Sequence, residues 1–498
     1  MKGTVLAATL AGFLTASSSL QLVQQDTPNV VALKTQRKAV HNPVKRDTLR
    51  RRQTVTVSLD NEKTLYFANV SLGTPAQDFR LHIDTGSSDL WTNSKSSRIC
   101  SHRGDLCSTS GTYDTNSSST YNFVSSDFDV SYVDGSGASG DYATDTLSIG
   151  GKTLKDFQFG IGYDSTSAEG ILGIGYTANE AQVNRANQKE YSNLPQAMVD
   201  GGLIKSNAYS LWLDDIESST GSIIFGGVDT DKYHGELQSL PVQKVYDQYT
   251  QFIITLSGLN LSNEGRNTSL TMDLPTAVIL DSGSSLTYLP NTLTAAIYTD
   301  LQVQYFDNAQ TAFADCGLAD QDITLDFTFT TPTISVPISE LIINSDASES
   351  SDREDPDSRN GRGSQSSGES DGSLCVFGIA PAEGSTAVLG DTFLRSAYVV
   401  YDLENDEISI AQTNFNSSDS RISEIGTGSD SVPGATPVAN VVSAAVSETG
   451  GARIAGSTGT VTAGRPSATR DSGAGSVRAS GFAFAFITII TALLAVGR

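Results

Sequence analysis

The sequence predicts an all-β protein with two related globular halves. Short runs rich in β-branched and aromatic residues, such as TLYFANVSLG at residues 64–73, are bounded by turn residues, and long helix-forming runs are scarce. One motif also occurs twice, as LHIDTGSSDLW at residues 81–91 and as VILDSGSSLTY at residues 278–288. Finally, 498 residues exceed one ordinary domain, and 38% hydrophobic content can fill one or two cores.

The repetition extends beyond these two motifs. GILGIGY at residues 170–176 follows the first motif and AVLGDTFLRSAY at residues 387–398 follows the second, so each half has an apolar-apolar-Gly run in a matching place. Two halves with one plan indicate an internal duplication with a pseudo-twofold axis between the repeats. Such an axis can bring Asp84 of the first motif face to face with Asp281 of the second.

The chain has a formal net charge of −24 and a pI near 4.4. This charge repels nucleic acid and anionic lipid, so we expect no nucleic-acid partner. It also fits a protein that works in acid, where many carboxylates are protonated and their mutual repulsion falls. A solvated acidic surface without adaptation to low pH is the alternative.

The N-terminal residues 1–19 have the Lys, the apolar run and the small-residue exit of a cleaved secretory signal peptide. Residues 20–52 are polar and basic, and they contain Lys45-Arg46 and Arg50-Arg51-Arg52. In a secreted chain these basic sites indicate a propeptide, a zymogen segment whose positive charge can lie over an acidic cleft before processing. A disordered basic arm is the alternative.

The C-terminal residues 476–498 predict a GPI-attachment signal that is removed on anchoring. The run at residues 481–496 is a short hydrophobic tail, and the small residues of DSGAGS at 471–476 stand upstream of it. Attachment is expected at Ser472 or Gly473. A retained membrane helix is the alternative, although the tail is short for a span of about 20 residues. The predicted location is the plasma membrane or, after transfer, the cell wall.

Residues 416–475 are rich in Ser, Thr, Gly and Ala and contain little that could fill a core. This composition is typical of an O-glycosylated stalk. Five N-glycosylation sequons agree with passage through the secretory route, and Asn69 is the least secure because it lies within a predicted strand. The sequons are Asn69, Asn116, Asn260, Asn267 and Asn416.

Four cysteines lie in the globular part, and an oxidising compartment favours disulfides over metal ligation. Three pairings are possible. If the halves are separate units, Cys100–Cys107 and Cys316–Cys375 are the economical pairs. Residues 345–373, between the second pair, form a polar and mostly acidic insert that cannot build a packed core. We predict an exposed disordered loop there.

Asp84 and Asp281 are the candidate catalytic residues. Two carboxylates within hydrogen-bonding distance cannot both ionise cheaply, so the pair holds one proton over an acidic range. One carboxylate can then activate a water while the other protonates or polarises a carbonyl. The expected supporting residues are two glycines that permit a sharp turn and two serines that orient the carboxylates, namely Gly86, Gly283, Ser87 and Ser284.

With these motifs, the chain from about residue 62 to residue 415 resembles the pepsin-like aspartic proteases. The resemblance implies a bilobal fold in which an extended peptide binds in a cleft between two lobes by strand-like hydrogen bonds. The lobes are expected at residues 53–240 and 241–415. The family needs no metal or organic cofactor.

The resemblance also assigns roles to single residues. Asp84 and Asp281 fall on the catalytic aspartates that activate the attacking water. Thr85 and Ser282 fall on the residues whose side chains lock the two active-site loops together beneath the aspartates. The expected substrates are proteins or peptides, and we expect a monomer.

Residues 130–151 resemble the flap of this family, a β-hairpin that closes over the bound peptide. Tyr132 matches the flap tyrosine, and Trp91 matches the tryptophan that hydrogen-bonds to it. Half-buried aromatic residues without a role are the alternative. GSGASG at residues 135–140, which begins with Gly135, formally matches a dinucleotide-binding fingerprint, but its flanks alternate as in a hairpin and no helix follows. We therefore assign it to the turn of the flap.

Asp134 is an informative departure from mammalian pepsin. An acidic residue at this flap position in many fungal members helps to accept Lys or Arg on the acyl side of the cut. Together with the GPI signal, the stalk and the acidic insert, it indicates similarity to the fungal GPI-anchored yapsin-type proteases, which prefer basic residues. A solvated turn residue is the alternative.

Two other function classes compete with an acid endopeptidase. A catalytically inactive binding protein of the cell surface or wall, with glucan as a partner, would have lost one Asp, one Gly or the flap tyrosine, and all are present. A structural mannoprotein would need no closed cleft. The four histidines show no metal-ligand spacing, and no motif anchors a Ser-His-Asp triad.

Overall fold

A computed structural model describes residues 28–40, 62–101, 106–132, 136–186, 188–218, 220–306, 310–343 and 373–444. All of these residues fall in one compact unit, Met1–Ser457. The predicted signal peptide and GPI-attachment signal lie outside the described residues. Residues 345–372 of the predicted acidic insert also lie outside them. Among the described residues, no helix is long and apolar enough to span a membrane.

The first part of the chain is a succession of strands. They are β1 Val31–Val40, β2 Glu62–Leu72, β3 Gln77–Asp84, β4 Leu90–Asn93, β5 Asn122–Ser131, β6 Gly137–Ile149, β7 Lys152–Ser165, β8 Ile171–Gly173, β9 Ala208–Trp212, β10 Thr220–Phe225, β11 Gly227–Asp229 and β12 Tyr233–Pro241. These segments are strands because buried apolar residues alternate with exposed ones or, in the central strands, run without interruption.

The second part continues in the same way. Its strands are β13 Ile253–Leu256, β14 Gly258–Asn263, β15 Arg266–Leu270, β16 Thr276–Leu280, β17 Thr287–Leu289, β18 Gln304–Phe306, β19 Thr311–Asp315, β20 Ile323–Thr328, β21 Thr333–Pro337, β22 Ile342–Ile343, β23 Leu374–Phe377, β24 Ile379–Pro381, β25 Ala387–Leu389, β26 Ala397–Asp402, β27 Glu407–Thr413, β28 Ile422–Glu424 and β29 Ala435–Pro437. In β20 the buried residues Ile323, Leu325 and Phe327 alternate with half-buried polar ones.

Helices are short among the described residues. The α-helices are α1 Arg98–Ser101, α2 Ala181–Ala186, α3 Leu194–Asp200, α4 Asn291–Leu301 and α5 Asp391–Leu394. Turns of 3₁₀ helix occur at Thr115–Ser117, Thr177–Asn179, Cys316–Asp320 and Ile338–Leu341. The longest described helix, α4, follows Pro290 and buries Leu293, Ile297 and Leu301, whose spacing of four residues places them on one face.

A large sheet runs through the molecule and contains strands from both predicted lobes. Its order is β29-β12-β27-β26-β9-β10-β1-β2-β3-β8-β4-β7-β6-β5, with β2 also paired to β6. The second part of the chain adds smaller sheets in the orders β13-β16-β25-β17-β24, β15-β14-β20-β21 and β18-β19-β23-β22, and β11 pairs with β28. Because β26 pairs antiparallel with β9, residues beyond 240 complete the sheet that the first part of the chain begins.

The predicted propeptide contributes one of the strands in this sheet. β1 lies between β10 and β2, with Leu33 opposite Ile223 and Gln36 opposite Phe67. Val31 and Leu33 are buried in the main core. Residues 31–40 are therefore an ordered strand and not the disordered basic arm that the sequence left open.

The residues after 415 correct the predicted start of a stalk at residue 416, because residues 416–444 pack on the globular body. Residues 416–444 lie along the globular body, where β28 pairs with β11 and β29 pairs parallel with β12. Ile425 and Val432 are buried in a cluster with Trp212 and Tyr398. These few apolar residues anchor a Ser- and Gly-rich segment to the body. The average composition of residues 416–475 does not reveal them, because it is dominated by small and polar residues.

Both disulfides join the cysteines that the sequence analysis paired as the economical choice. Cys100 is bonded to Cys107, and Cys316 is bonded to Cys375 across a separation of 59 residues. Among the sequon asparagines, Asn260 is half-buried in β14, and the others have exposed side chains: Asn69, Asn116, Asn267 and Asn416. Asn69 lies in a strand, as predicted, and points outward.

Candidate active site

The first repeated motif places Asp84 at the end of a fully buried strand segment. β3 ends at Asp84, and β8 runs parallel beside it, with Ile83 opposite Leu172. The Ile174 N–H donates to the Asp84 carbonyl oxygen at 3.1 Å. Gly173 allows β8 to approach the loop that follows Asp84, because a Cβ at residue 173 would lie 2.6 Å from the Asp89 backbone nitrogen.

The second motif repeats the arrangement. β16 runs parallel to β25, with Ile279 opposite Val388, and the Asp281 N–H donates to the Leu389 carbonyl oxygen at 3.1 Å. A Cβ at Gly390 would lie 2.3 Å from the Leu286 carbonyl oxygen, so glycine is again required where strand and loop approach each other. The matching pairings agree with the duplication predicted from the sequence.

Each carboxylate is held by the same two donors. The Gly86 N–H donates to Asp84 Oδ1 at 2.9 Å, and the Ser87 hydroxyl donates to Asp84 Oδ2 at 2.7 Å. At Asp281 the corresponding donors are the Gly283 N–H and the Ser284 hydroxyl, both at 2.8 Å. These bonds fix the orientation of the two carboxyl planes before any substrate binds.

Both carboxyl groups lie against the same residue, Gly86. Asp281 lies directly against Gly86, since a Cβ at Gly86 would be 2.6 Å from Asp281 Oδ1, and Gly86 itself binds Asp84. Asp84 is 0% exposed and Asp281 is 3% exposed. Both carboxyl groups are buried beside Gly86, so little solvent is available to screen the repulsion between two negative charges there.

Four hydrogen bonds connect the two loops beneath the carboxylates. The Thr85 hydroxyl donates to the Leu280 carbonyl at 3.1 Å and accepts from the Ser282 N–H at 3.0 Å. The Ser282 hydroxyl donates to the Ile83 carbonyl and accepts from the Thr85 N–H, both at 3.2 Å. This reciprocal pair joins the loops as the resemblance implied for Thr85 and Ser282.

A layer of buried tyrosines lies below the loops. Tyr209 and Tyr401 stack with ring centroids 5.0 Å apart, and the Tyr209 hydroxyl donates to the Ile174 carbonyl at 3.0 Å. Burial raises the pKa of both phenols, and the Asp281 carboxylate raises that of Tyr401 further. The phenols therefore stay neutral, and the floor of the site carries no competing charge.

The predicted flap residues lie beside this site. β5 and β6 form a hairpin, called the flap hairpin below, and Tyr132 follows β5. The Trp91 indole N–H donates to the Tyr132 hydroxyl at 2.7 Å, and both side chains are buried. Asp134 and Gly135, at the turn of the hairpin, lie outside the described residues.

Two further buried acids near the site, Asp89 and Glu180, were not singled out in the sequence. Asp89 stands inside the first repeated motif. Its burial distinguishes it from a surface aspartate, and burial cannot be read from the motif. Glu180 belongs to no motif. Among the described residues, no group of three or more His, Cys, Asp or Glu side chains is placed to hold a metal ion.

Comparisons with known proteins agree with this geometry. Residues 65–352 and 363–413 match the family described as eukaryotic aspartyl protease. The chain is 54% identical over 465 residues to the probable aspartic-type endopeptidase opsB of Aspergillus oryzae, a match that covers 93% of this chain and 92% of that protein. It is 34% identical over 372 residues to the aspartic proteinase yapsin-3 of Saccharomyces cerevisiae, covering 72% and 68% respectively.

The fold has a solved counterpart. The crystal structure of an aspartic proteinase from Irpex lacteus superposes with a TM-score of 0.56 at 21% identity, covering 79% of this chain and 99% of that one. The all-β, pepsin-like fold predicted from the sequence is thereby confirmed.

Proposed function

Because the chain belongs to the eukaryotic aspartyl protease family and is an aspartic-type endopeptidase, we propose that Asp84 and Asp281 are its catalytic pair. The observation that carries this assignment is the contact of Asp281 with Gly86, whose N–H binds Asp84. Both carboxyl groups therefore border one glycine, which supports the proposal that a single water can bind between them.

The proposed reaction is hydrolysis of a peptide bond by a water held between Asp84 and Asp281. The ionised carboxylate takes a proton from the water as its oxygen bonds to the carbonyl carbon, while the protonated carboxyl group gives its proton to the carbonyl oxygen. The C–N bond of the tetrahedral intermediate then breaks, and the leaving nitrogen takes the proton that the first carboxylate removed from the water. One hydroxyl of the intermediate returns its proton to the other carboxylate as the C=O bond forms again, which restores the pair. Ser87 and Ser284 keep the carboxylates oriented throughout.

The proposed working range is acidic. The reaction needs one ionised and one protonated carboxyl group, and that state is lost when both groups ionise as the pH rises. The net charge of −24 supports this proposal, because protonation of surface carboxylates in acid lowers the repulsion within the folded protein.

The proposed specificity is for Lys or Arg on the acyl side of the cut. Asp134 follows the flap tyrosine Tyr132 by two residues, and a carboxylate there would attract a cationic side chain. Further carboxylates on the same hairpin, Asp127, Asp129 and Asp141, give this side of the site a negative charge. The proposed substrates are proteins or peptides in extended form.

Cleavage of a randomised peptide library at pH 3 to 6 tests this specificity. We expect cuts after Lys and Arg, and we expect Asp134→Asn to lower that preference about tenfold relative to cuts after large apolar residues. Asp156→Asn, at an exposed position in β7, is the matched control and should change nothing. Cuts between apolar residues in both proteins would keep the endopeptidase and refute the basic specificity. No cutting at any pH would favour the inactive binding protein.

We further propose that the protein is secreted as a zymogen and anchored at the cell surface. The supports are the signal peptide at residues 1–19, the basic sites in residues 20–52 and the attachment signal at residues 476–498. Residues 445–475 remain for a stalk, since the body includes residues up to 444. The protein would act as a monomer on the membrane or, after transfer, on wall glucan.

Release by a GPI-specific phospholipase C tests the anchor. The full-length protein should leave intact cells after treatment, and a variant with Ser472 and Gly473 both replaced by Leu should lose its surface location because small residues are needed at the attachment site. The same double replacement at Ser457 and Gly459 is the control. A surface protein that resists the enzyme and extraction by detergent would instead indicate wall linkage, and one that detergent alone releases would indicate a retained helix.

A further inference from the structure

A second pair of acids lies beneath the flap hairpin, outside the catalytic pair. Asp89 is in the loop between Asp84 and β4, and Glu180 follows the 3₁₀ turn Thr177–Asn179. Both side chains are buried, with 1% exposure at Asp89 and 0% at Glu180. Buried acids without a nearby cation are rare in folded proteins, because each must either be neutral or find compensating donors.

Asp89 has such donors. Its Oδ1 accepts from the hydroxyls of Tyr142 and Tyr191 at 2.9 and 3.0 Å, and its Oδ2 accepts from the Ala181 N–H at 2.8 Å. Tyr142 belongs to β6, so this carboxylate connects the loop that carries Asp84 to the flap hairpin. Three donors stabilise the ionised form of Asp89.

Glu180 lacks this support. Its Oε2 accepts from the Tyr191 N–H at 2.9 Å, and its Oε1 has no hydrogen-bond partner among the described residues. Burial, followed by repulsion from the Asp89 carboxylate, raises the pKa of Glu180 to about 10. Asp89 also has a raised pKa because of burial, but its three donors oppose the shift. The proton therefore resides on Glu180.

The surroundings supply no described counter-charge. Tyr142 approaches from β6, Tyr191 and Glu190 approach from the segment after α2, and Glu190 raises the pKa of Glu180 further. Lys189 is exposed. Among the described side chains, no Lys, Arg or His is a cause of the shift at either acid. If Glu180 ionised while Asp89 carries a charge, the two negative charges would repel each other, and none of the described side chains named above would compensate them.

We propose that the buried acids Asp89 and Glu180 together hold a single proton, on Glu180, and that this proton positions the flap hairpin and sets the upper pH limit of the folded active site. Ionisation of Glu180 would put two buried carboxylates of like charge next to each other. Exposure of the two carboxylates to solvent would lower this repulsion. It would also break the hydrogen bonds that Asp89 accepts from Tyr142 and Tyr191. The hairpin that carries Tyr132 then loses its anchor.

The sign of the pH effect follows from the folded and unfolded states of Glu180. Its folded pKa lies above the ordinary value of 4.5, so the stabilising contribution is complete below about pH 4.5 and is lost as the pH rises toward about 10. Over that window the folded protein retains one proton that the unfolded chain has released. Each pH unit should therefore raise the unfolding equilibrium constant about tenfold through this group alone.

Unfolding of the purified full-length protein by urea between pH 5 and 8 tests the proposal. Glu180→Gln imitates the protonated acid. We expect it to lower by one the number of protons that the folded protein binds in excess of the unfolded chain. Between pH 5 and 8 the unfolding constant of the unchanged protein should rise ~10³-fold more than that of the variant. Glu180→Met, which also lacks a titrating group, gives the same expectation if the Gln variant does not fold.

Hydrogen exchange provides the readout for positioning. After correction for intrinsic rates, amides of β5 and β6 should exchange faster at pH 8 than at pH 5 in the unchanged protein but not in Glu180→Gln. Glu236→Gln is the control, because it makes the same chemical change at an exposed residue of β12 that is not a cause of the shift at either acid. Equal pH slopes in all three proteins, or exchange in the hairpin that does not depend on Glu180, would overturn the proposal. Neither measurement requires catalysis, so the result is independent of the proposed specificity.

Discussion

An Asp281→Asn substitution is expected to lower kcat/KM for peptide cleavage by at least ~10³-fold. The amide has nearly the shape of the carboxyl group. Its oxygen can still accept from the Gly283 N–H, and its NH₂ group can donate to the Ser284 hydroxyl oxygen, which now accepts. It can neither take a proton from water nor hold the proton that the carbonyl oxygen needs. The loss should therefore appear in kcat, with the fold and peptide affinity retained. The measurement is steady-state cleavage of a fluorogenic peptide at pH 4.

The control for this substitution is Asp322→Asn, an identical change at an exposed acid. It should keep full activity. Asp84→Asn should lose as much as Asp281→Asn, and the double variant should lose little more, because two residues that act as one unit give non-additive effects. A residual rate in the double variant well below that of either single variant would show that the two carboxyl groups act separately.

A Glu340→Gln substitution should give a large loss of stability, about 3 kcal/mol. Glu340 forms a buried ion pair with Arg395, whose side chain is 0% exposed, and also accepts from the Ile216 N–H at 3.0 Å. Burial acts to lower the pKa of Arg395, but Glu340, Tyr66 and Asp391 more than offset it, and the net shift is upward. The guanidinium therefore stays charged, and removal of its partner leaves that charge uncompensated.

Urea unfolding at constant pH measures this loss, with Glu424→Gln as the control. Glu424 pairs with Lys205 at 2.9 Å, but the Lys205 side chain is 53% exposed, so the same chemical change should cost less than about 1 kcal/mol. Equal losses in the two variants would contradict a special role for the buried pair.

Much of the site could be predicted from the sequence because its parts lie close together along the chain. Within each repeated motif the aspartate, the glycine and the serine are three residues apart at most, so the hydrogen bonds at Asp84 and Asp281 form locally. The duplication then implied that the two motifs meet. The aromatic pair, Trp91 with Tyr132, was predicted from a resemblance and is hydrogen-bonded in the structure. The catalytic roles themselves stay a prediction.

Other features had no such local signal. The strand at residues 31–40 lies within residues 20–52, a segment that is polar and basic in overall composition, and it pairs with β10 on one side and β2 on the other. Residues 416–444 resemble a stalk in composition, and two buried side chains, Ile425 and Val432, hold them to the body. A composition average does not register a few contacts with distant residues.

The sequence by itself therefore determined the fold class and the family, since these depend on repeated short motifs and on local alternation, and from the same motifs it predicted Asp84 and Asp281 as the catalytic residues. Only the tertiary structure decided which acids are buried. Glu340 meets Arg395 across 55 residues, and Glu180 meets Asp89 across 91, and nothing in either neighbourhood of the chain marks them. The charge state of an acid depends on its exposure to water and on the donors around it, and both are properties of the folded chain.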